Sequence, residues 1–182
     1  MHAQQPRNRR FRKSVITLLV VAIAAVIAVL QLGGQGPTTN GTAETAIVER
    51  VVDGDTVIVF LANERTRIRL LNIDTPESVD PNSAVECLGP EASEYLRSLL
   101  PEGTEVRLEY DVTRFDQYDR TLAAVYVDEV FVNAQMARVG LAEPIVVGDN
   151  DRFFEEVDAA SDEAREAEVG FFAPESPCGR RD

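Results

Sequence analysis

The stretch AIVERVVDGDTVIVFLANERTRIRLLNIDTPE, residues 46–77, decides the fold. It contains three runs of β-branched and apolar residues that are typical of strands: Ala46–Val52, Thr56–Leu61 and Thr66–Ile73. Asp53-Gly54 separates the first two runs and Asn63-Glu64 the last two, and both pairs are common in tight turns. The stretch therefore predicts a three-stranded antiparallel meander.

The rest of the chain adds two strands and three helices. TEVRLEYDV alternates apolar and polar residues, and TLAAVYVDEVFV continues as a fifth strand with a reversal at Asp128-Glu129. GPEASEYLRSLLPEG places Pro90 in the first helical turn, so a helix is predicted between the third and fourth strands. NAQMARVG and DRFFEEVDAASDEAREAEVG predict two terminal helices, the second with Phe153, Val157, Ala160, Ala164 and Ala167 on one stripe. The count predicts an α+β fold, a five-stranded OB-type barrel with three helices.

The N-terminal segment differs in charge and hydropathy from the rest. Residues 1–14 are basic, and residues 15–32 form an uncharged apolar run close to the ~20 residues that span a bilayer. This pattern predicts a single-pass anchor with its basic end inside the cell, or alternatively a cleaved signal peptide. Either interpretation places the remainder outside the cell, beginning with a Gly/Thr/Asn-rich linker at 33–45. A folded domain at 46–173 and a tail at 174–182 complete the predicted organisation.

Composition excludes several functional classes. His2 is the only histidine and precedes the apolar run, so the domain has no histidine base, no histidine metal ligand and no Ser-His-Asp triad. Residues 40–182 contain 13 Arg and 31 Asp or Glu, a formal charge of −18. That charge argues against a broad nonspecific nucleic-acid surface but leaves room for a small cationic site.

Cys87 and Cys178 are the only cysteines. In an oxidising compartment they are expected to form a disulfide that ties a mid-chain loop to the tail, the alternative being two unpaired thiols. Closing so long a loop stabilises a fold by about 4–5 kcal/mol in the chain-entropy model.

Two acidic clusters lie at predicted turns: Asp53 with Asp55, and Asp74 with Glu77. Carboxylates and carbonyls at turns are ligands for hard cations such as Ca²⁺, although each cluster alone is also ordinary turn chemistry. Arg69 and Arg120 add guanidinium groups, which either form surface ion pairs or bind phosphate oxygens bidentately. Carboxylates, a cation and two arginines together are what phosphodiester hydrolysis requires.

Five motifs occur in a recognisable order: VVDGDTV, RLLNIDTPE, GPEAS, YDRTLAAVYV and VNAQMARVGLA. Their order and spacing, over about Ala46 to Phe172, resemble the staphylococcal nuclease (thermonuclease) family. The resemblance implies a five-stranded OB-fold barrel with three helices. It also implies Ca²⁺-dependent hydrolysis of DNA and RNA to products with 3′-phosphates.

The resemblance also implies a role for each matching residue. The calcium ligands would be Asp55, Asp74 and the carbonyl of Thr75, with Asp53 as a nearby acid. Glu77 would activate the attacking water, Arg69 and Arg120 would bind phosphate, and Tyr118 would lie near the terminal phosphate. The family's lysine-rich loop after DTPE and its stacking tyrosines after GLA are absent from this sequence.

These inferences predict a monomeric, exported, Ca²⁺-dependent nuclease, either anchored at the outer face of the cell membrane or secreted. The alternative is an inactive OB-fold module that binds nucleic acid or another polyanion.

One geometric condition follows from the strand pattern. Side chains alternate along a strand, so Arg69 and Asp74, separated by an odd number of residues, would point to opposite faces. For both to reach one site, the strand must be irregular. We therefore predict an irregularity between Asn72 and Asp74.

Overall fold

The computed structural model describes residues 43–78 and 85–178. The strands are β1 Glu44–Val51, β2 Thr56–Leu61, β3 Glu64–Leu70, β4 Ile73–Asp74, β5 Glu105–Glu109, β6 Thr121–Val127, β7 Val130–Phe131 and β8 Glu143–Pro144. The α-helices are α1 Gly89–Leu99, α2 Val132–Arg138 and α3 Phe154–Glu166, and a 3₁₀ turn follows at Gly170–Phe172.

Five of these strands form a closed barrel in the order β3-β2-β1-β5-β6. The barrel closes because β3 also pairs in parallel with β6, where Ile68 lies opposite Thr121 and Leu70 opposite Ala123. The predicted five-stranded barrel with three helices is therefore confirmed. The short strands β4 and β8 form a separate two-stranded ladder that places Asp74 opposite Glu143.

The meander is confirmed with one shifted turn. β2 has the predicted bounds, and β1 begins two residues earlier than predicted, at Glu44. The predicted Asn63-Glu64 turn is wrong: Leu61 pairs with Glu64, and the turn residues are Ala62 and Asn63, with φ of 49° and 68°. Two positive φ values in a two-residue hairpin match the right-handed twist of the flanking strands.

The predicted irregularity lies slightly earlier in the chain than expected. β3 ends at Leu70, Asn72 has a φ of 59°, and the chain returns to strand geometry at Ile73. The break is held by hydrogen bonds to both backbone groups of Leu71: its N–H donates to the Ala123 carbonyl, and its carbonyl accepts from Asn133 Nδ2, each at 2.8 Å. The break resets the alternation of side chains between Arg69 and Asp74.

The core lies inside the barrel and beneath the helices. β5 buries Val106 and Leu108, and α1 adds Ala92 and Leu96 to the same core. α3 buries Val157, Ala160 and Ala164, as its apolar stripe predicts. Ala167, predicted on that stripe, is exposed because α3 has already ended at Glu166.

A disulfide joins Cys87 to Cys178, 91 residues apart. The tail is thus linked covalently to the segment that leads into α1. The predicted basic region at 1–14, anchor or signal at 15–32 and most of the linker at 33–45 lie outside the described residues. Within the described part of the chain, no helix has both the length and the apolarity needed to cross a membrane.

Candidate active site

Asp55, Arg69 and Asp74 form an ion triad at one end of the barrel. Arg69 Nη2 lies 2.8 Å from Asp55 Oδ2 and 3.0 Å from Asp74 Oδ1. Arg69 Nη1 donates to the carbonyls of Leu70 at 2.6 Å and Ile73 at 2.7 Å. The side chains of Asp55 and Arg69 are about 10% exposed, whereas that of Asp74 is 60% exposed. Asp74 therefore lies on the solvent side of the site, and Asp55 and Arg69 form its buried floor.

Strand pairing brings Asp55 to Arg69. Thr56 opens β2 and lies opposite Arg69 on β3, so the residue before Thr56 reaches the same end of the barrel. The Leu70 N–H donates to the Asp55 carbonyl at 2.8 Å, and the Thr56 hydroxyl donates to Asp55 Oδ1 at 2.9 Å. Asp74 joins them only because the chain breaks at Asn72.

The Asp55 carboxyl is hard to ionise. Burial raises its pKa to about 7, although the Arg69 charge opposes the shift and the Asp53 charge adds to it. Asp53 also accepts a hydrogen bond from the Asp55 N–H at 3.2 Å. Additional positive charge at this point would favour the ionised carboxylate.

The raised pKa of Asp55 makes the free energy of unfolding depend on pH. Asp55 holds its proton in the folded state up to about pH 7, whereas the unfolded chain releases it near the ordinary value of 3.8. Between these values the folded state binds more protons, so the free energy of unfolding contributed by Asp55 falls as pH rises from about 4 to 7. In chelator, urea unfolding of wild type should therefore lose more stability over this interval than that of Asp55→Asn.

The exposed Asp149→Asn is the matched control for this measurement and should follow wild type. Equal pH slopes for wild type and Asp55→Asn would contradict the buried-acid assignment.

Residues 74–78 are packed against α1 and the loop between β1 and β2. A Cβ on Gly54 would lie 2.7 Å from Thr75 Oγ1 and 2.8 Å from the Ala92 Cβ. Gly54 is thus required by this close approach, not by a hairpin turn as the sequence suggested, because the loop from Val52 to Asp55 is longer than a tight turn. Ser78 Oγ lies 2.7 Å from Ser93 Oγ of α1. This packing fixes the backbone that carries Thr75 and Glu77.

Glu77 is half-buried, and its Oε1 accepts a hydrogen bond from the Ser78 N–H at 2.8 Å. Thr75 directly follows Asp74 in the chain. Within residues 43–78 and 85–178, no three His, Cys, Asp or Glu side chains are placed to share a metal ion.

Arg120 and Tyr118 lie on a turn before β6. Asp116 holds this turn: its Oδ1 accepts from the backbone N–H groups of Tyr118 and Arg120, and its Oδ2 from Arg120 Nε at 2.6 Å. Burial alone would raise the pKa of Asp116, but the hydrogen bonds from Arg120 lower it overall. Tyr118 is 70% exposed, and the Arg120 guanidinium lies 5.5 Å from its ring centroid.

Arg120 lies near the strand that carries Arg69, but it is not part of the ion triad. Arg120 directly precedes Thr121, the first residue of β6, and Thr121 pairs with Ile68 of β3. Arg120 therefore lies at the start of the strand that neighbours the strand of Arg69. Its ion pair is with Asp116. Among the described residues, no hydrogen bond or ion pair joins Arg120 or Tyr118 to Asp55, Arg69 or Asp74.

Sequence reasoning missed two residues that position the site. Asn72 is fully buried, and its Nδ2 donates to the carbonyls of Ile145 at 3.1 Å and Asn150 at 2.8 Å. Asparagine tolerates positive φ, so its position directly before IDTPE was an available signal for the strand break. Asp116 precedes Arg120 by four residues in a turn sequence, and that spacing was the available signal for its role.

Comparison with known proteins now bears on this site. The family model described as "Staphylococcal nuclease homologue" matches residues 67–173. The chain belongs to the staphylococcal nuclease family. A thermonuclease of Staphylococcus intermedius is 35% identical over 166 residues, which cover 88% of this chain and 98% of that protein. A thermonuclease of Staphylococcus hyicus is 34% identical over 160 residues, 84% of this chain and 94% of its own length.

More distant similarity extends to other nucleases. Endonuclease YncB of Bacillus subtilis strain 168 is 33% identical over 128 residues, which cover 69% of this chain and 60% of that protein. Membership of the staphylococcal nuclease family agrees with the closed barrel and three helices. The ion pairs of Arg69 with Asp55 and Asp74 are therefore part of the site of a staphylococcal nuclease family member.

Proposed function

We propose that this protein is a Ca²⁺-dependent nuclease that hydrolyses phosphodiester bonds of DNA and RNA to products with 3′-phosphates. The observation that carries the proposal is the convergence of Asp55 and Asp74 on one cationic point, Arg69 Nη2. Relatives described as thermonucleases match most of the chain and support the same reaction class. Glu77 lies three residues beyond Asp74, on the loop that packs against α1.

The donor set fits calcium. Ca²⁺ takes several oxygen ligands in flexible geometry, and waters complete sets that a protein leaves open. Asp55, Asp74 and the Thr75 carbonyl supply hard oxygens at a site open on the Asp74 side. Burial raises the pKa of Asp55 to about 7, so a cation here would offset an unfavourable charge. These three residues would hold the ion.

Glu77 would act as the general base. Its carboxylate takes a proton from the attacking water as the water oxygen bonds to phosphorus. The bond from phosphorus to the 5′ oxygen breaks, the 5′ oxygen takes up a proton from solvent to become a hydroxyl, and the phosphate remains on the 3′ side. Bound Ca²⁺ would supply positive charge against the negative charge that grows on the phosphate oxygens. Arg69 and Arg120 would supply fixed donors for the same charge.

Arg69 requires a change of partners to perform this role. Its Nη2 is engaged by both carboxylates, and its Nη1 by two carbonyls. The Arg69 guanidinium thus balances the negative charge of the two carboxylates, which a bound divalent cation would otherwise balance. When Asp55 and Asp74 have another positive partner, the N–H groups of Nη2 become available to a phosphate oxygen while Nη1 keeps the guanidinium oriented.

Export and a monomeric state are part of the proposal. The basic region and apolar run at 1–32 support a membrane anchor or a signal, with the domain outside the cell. The Cys87–Cys178 disulfide supports the same location because such bonds persist in oxidising compartments. The substrate would then be extracellular DNA or RNA.

Incubating the purified full-length chain with plasmid DNA or RNA tests the reaction. We expect degradation with Ca²⁺, none with chelator, and 3′-phosphate ends in the products. Because the whole chain has a formal charge of −13, activity should tolerate moderate salt that suppresses the mutual repulsion of protein and substrate. Retention of nucleic acid without Ca²⁺-dependent cleavage at any salt concentration would instead establish the inactive binding module.

A further inference from the structure

Glu86 holds the backbone of Glu77, which lies nine positions earlier in the chain. The Glu77 N–H donates to Glu86 Oε2 at 3.0 Å, and the Glu86 N–H donates to the Glu77 carbonyl at 2.8 Å. Both polar backbone groups of Glu77 are therefore bound by one residue. This reciprocal pair fixes the position and the rotation of the peptide that carries the Glu77 side chain.

The residues after Glu86 are themselves fixed. Cys87 is bonded to Cys178, which ties the C-terminal tail to this point. The Gly89 N–H donates to the Glu86 carbonyl at 3.0 Å, and a Cβ on Gly89 would lie 2.6 Å from the Glu77 carbonyl oxygen. Glu86 is thus held between a covalent cross-link and the first turn of α1.

We propose that Glu86 is a positioning residue for Glu77 and that the Cys87–Cys178 disulfide holds Glu86 in place, so that reduction of this bond slows the nuclease. The inference rests on the proposed function of Glu77 as general base. It assigns a role to the disulfide and the tail that lies outside the ion triad. Cys87 is exposed, so a thiol reductant can reach the disulfide bond.

The redox step is a thiol–disulfide exchange. One equivalent of an external dithiol such as dithiothreitol donates two electrons, the bond between the sulfurs of Cys87 and Cys178 breaks, and two protein thiols and the cyclic disulfide of the reductant form. Glu86 then loses the cross-link beside it, and its hydrogen bonds to Glu77 are formed for a smaller fraction of the time. The Glu77 peptide samples more orientations, and fewer of them place its carboxylate at the attacking water.

Glu86 variants test the clamp without touching the disulfide. Glu86→Ala removes the acceptor for the Glu77 N–H, and we expect kcat to fall on the order of 10-fold with KM unchanged, as expected for loss of one hydrogen bond. Glu86→Gln keeps an acceptor oxygen and should retain most of the activity. Glu94→Ala, an exposed acid on α1, is the matched control and should behave as wild type. Equal kcat values for Glu86→Ala and wild type would overturn the proposal.

Reduction tests the role of the disulfide. Wild type treated with dithiothreitol should lose kcat by a similar factor, recover it on reoxidation, and keep its Ca²⁺ affinity measured by calorimetry. The Cys87→Ser/Cys178→Ser double variant should be as slow as reduced wild type and insensitive to dithiothreitol. A reduced wild type with full kcat would overturn the disulfide's part in the proposal.

Amide hydrogen exchange, followed by NMR, separates this inference from the proposed function. Exchange at the Glu77 N–H should accelerate at least 10-fold in Glu86→Ala and in reduced wild type, while amides in β1 and β5 keep their protection. If wild type shows no nuclease activity, the proposed function fails, and this exchange pattern still decides whether the clamp exists. Unchanged protection of the Glu77 amide in Glu86→Ala would overturn the clamp whatever the activity.

Discussion

Replacing Glu77 by glutamine is expected to lower kcat by about 10²-fold or more, because the amide cannot accept the proton of the attacking water. Glutamine has the same length as glutamate and can keep the hydrogen bond from the Ser78 N–H, which Glu77 Oε1 accepts at 2.8 Å. The loop should therefore keep its packing on α1. Ca²⁺-dependent cleavage of a defined oligonucleotide under single-turnover conditions measures the chemical step directly.

The control for Glu77→Gln is Glu94→Gln, which makes the same change at an exposed position of α1. It should leave the rate within twofold of wild type. Calorimetry should show Ca²⁺ binding in both variants, since the proposed ligands are Asp55, Asp74 and the Thr75 carbonyl. Wild-type activity in Glu77→Gln would show that another group takes the proton.

The family resemblance predicted that Asp55, Arg69 and Asp74 share one site, but the sequence predicted neither their ion pairs nor the strand register that brings Asp55 to Arg69. Thr56 and Arg69 pair through a hairpin whose length the turn at Ala62-Asn63 sets, so Asp55 and Arg69 had to lie close together. The contact between Arg69 and Asp74 could be predicted only on the condition that the strand is irregular before Asp74, because the contact depends on the positive φ of Asn72. That conformation is stabilised by hydrogen bonds from Asn72 to residues more than 70 positions away.

Two other features of the site could not be derived from local pattern. Glu86 lies nine positions after Glu77, and no periodicity of the sequence relates the two side chains. Gly54 was interpreted as a turn residue, yet its role is to admit Thr75 and Ala92 at distances that any side chain would obstruct. Both contacts join segments that are distant in sequence and that come together only when α1 packs against the barrel.

The acidic character of the protein makes both arginines dependent on their partners. Asp55 and Asp74 bind Arg69, and Asp116 binds Arg120, so each guanidinium is electrically compensated in the structure. A nucleic acid approaching this site meets little unpaired positive charge from these two residues. In the proposed mechanism, substrate binding therefore depends on redistributing the charges within the site, above all those of the two carboxylates that bind Arg69.

Replacing Arg69 by alanine is expected to reduce both stability and catalysis. The substitution leaves the buried Asp55 carboxyl without its cation and removes the donors to the Leu70 and Ile73 carbonyls. Removing one partner of a buried ion pair costs about 3–5 kcal/mol, and here protonation of Asp55 limits the loss at low pH. In chelator, urea unfolding at pH 8 should show a loss of this order, with a smaller loss at pH 5. The cleavage rate should fall by about 10²-fold or more because a donor to the phosphate is lost.

Arg67→Ala is the matched control, because it removes the same side chain two positions earlier on β3, where the residue is exposed. Exposed substitutions of this kind change stability by about 0.5 kcal/mol or less. Arg69→Lys separates charge from geometry: a lysine can compensate Asp55 but cannot make the four contacts that the guanidinium divides between Nη1 and Nη2. It should recover part of the stability and little of the rate. A fully active Arg69→Lys would show that positive charge alone suffices, and an Arg69→Ala variant as stable as Arg67→Ala would contradict the triad as the structural centre of the site.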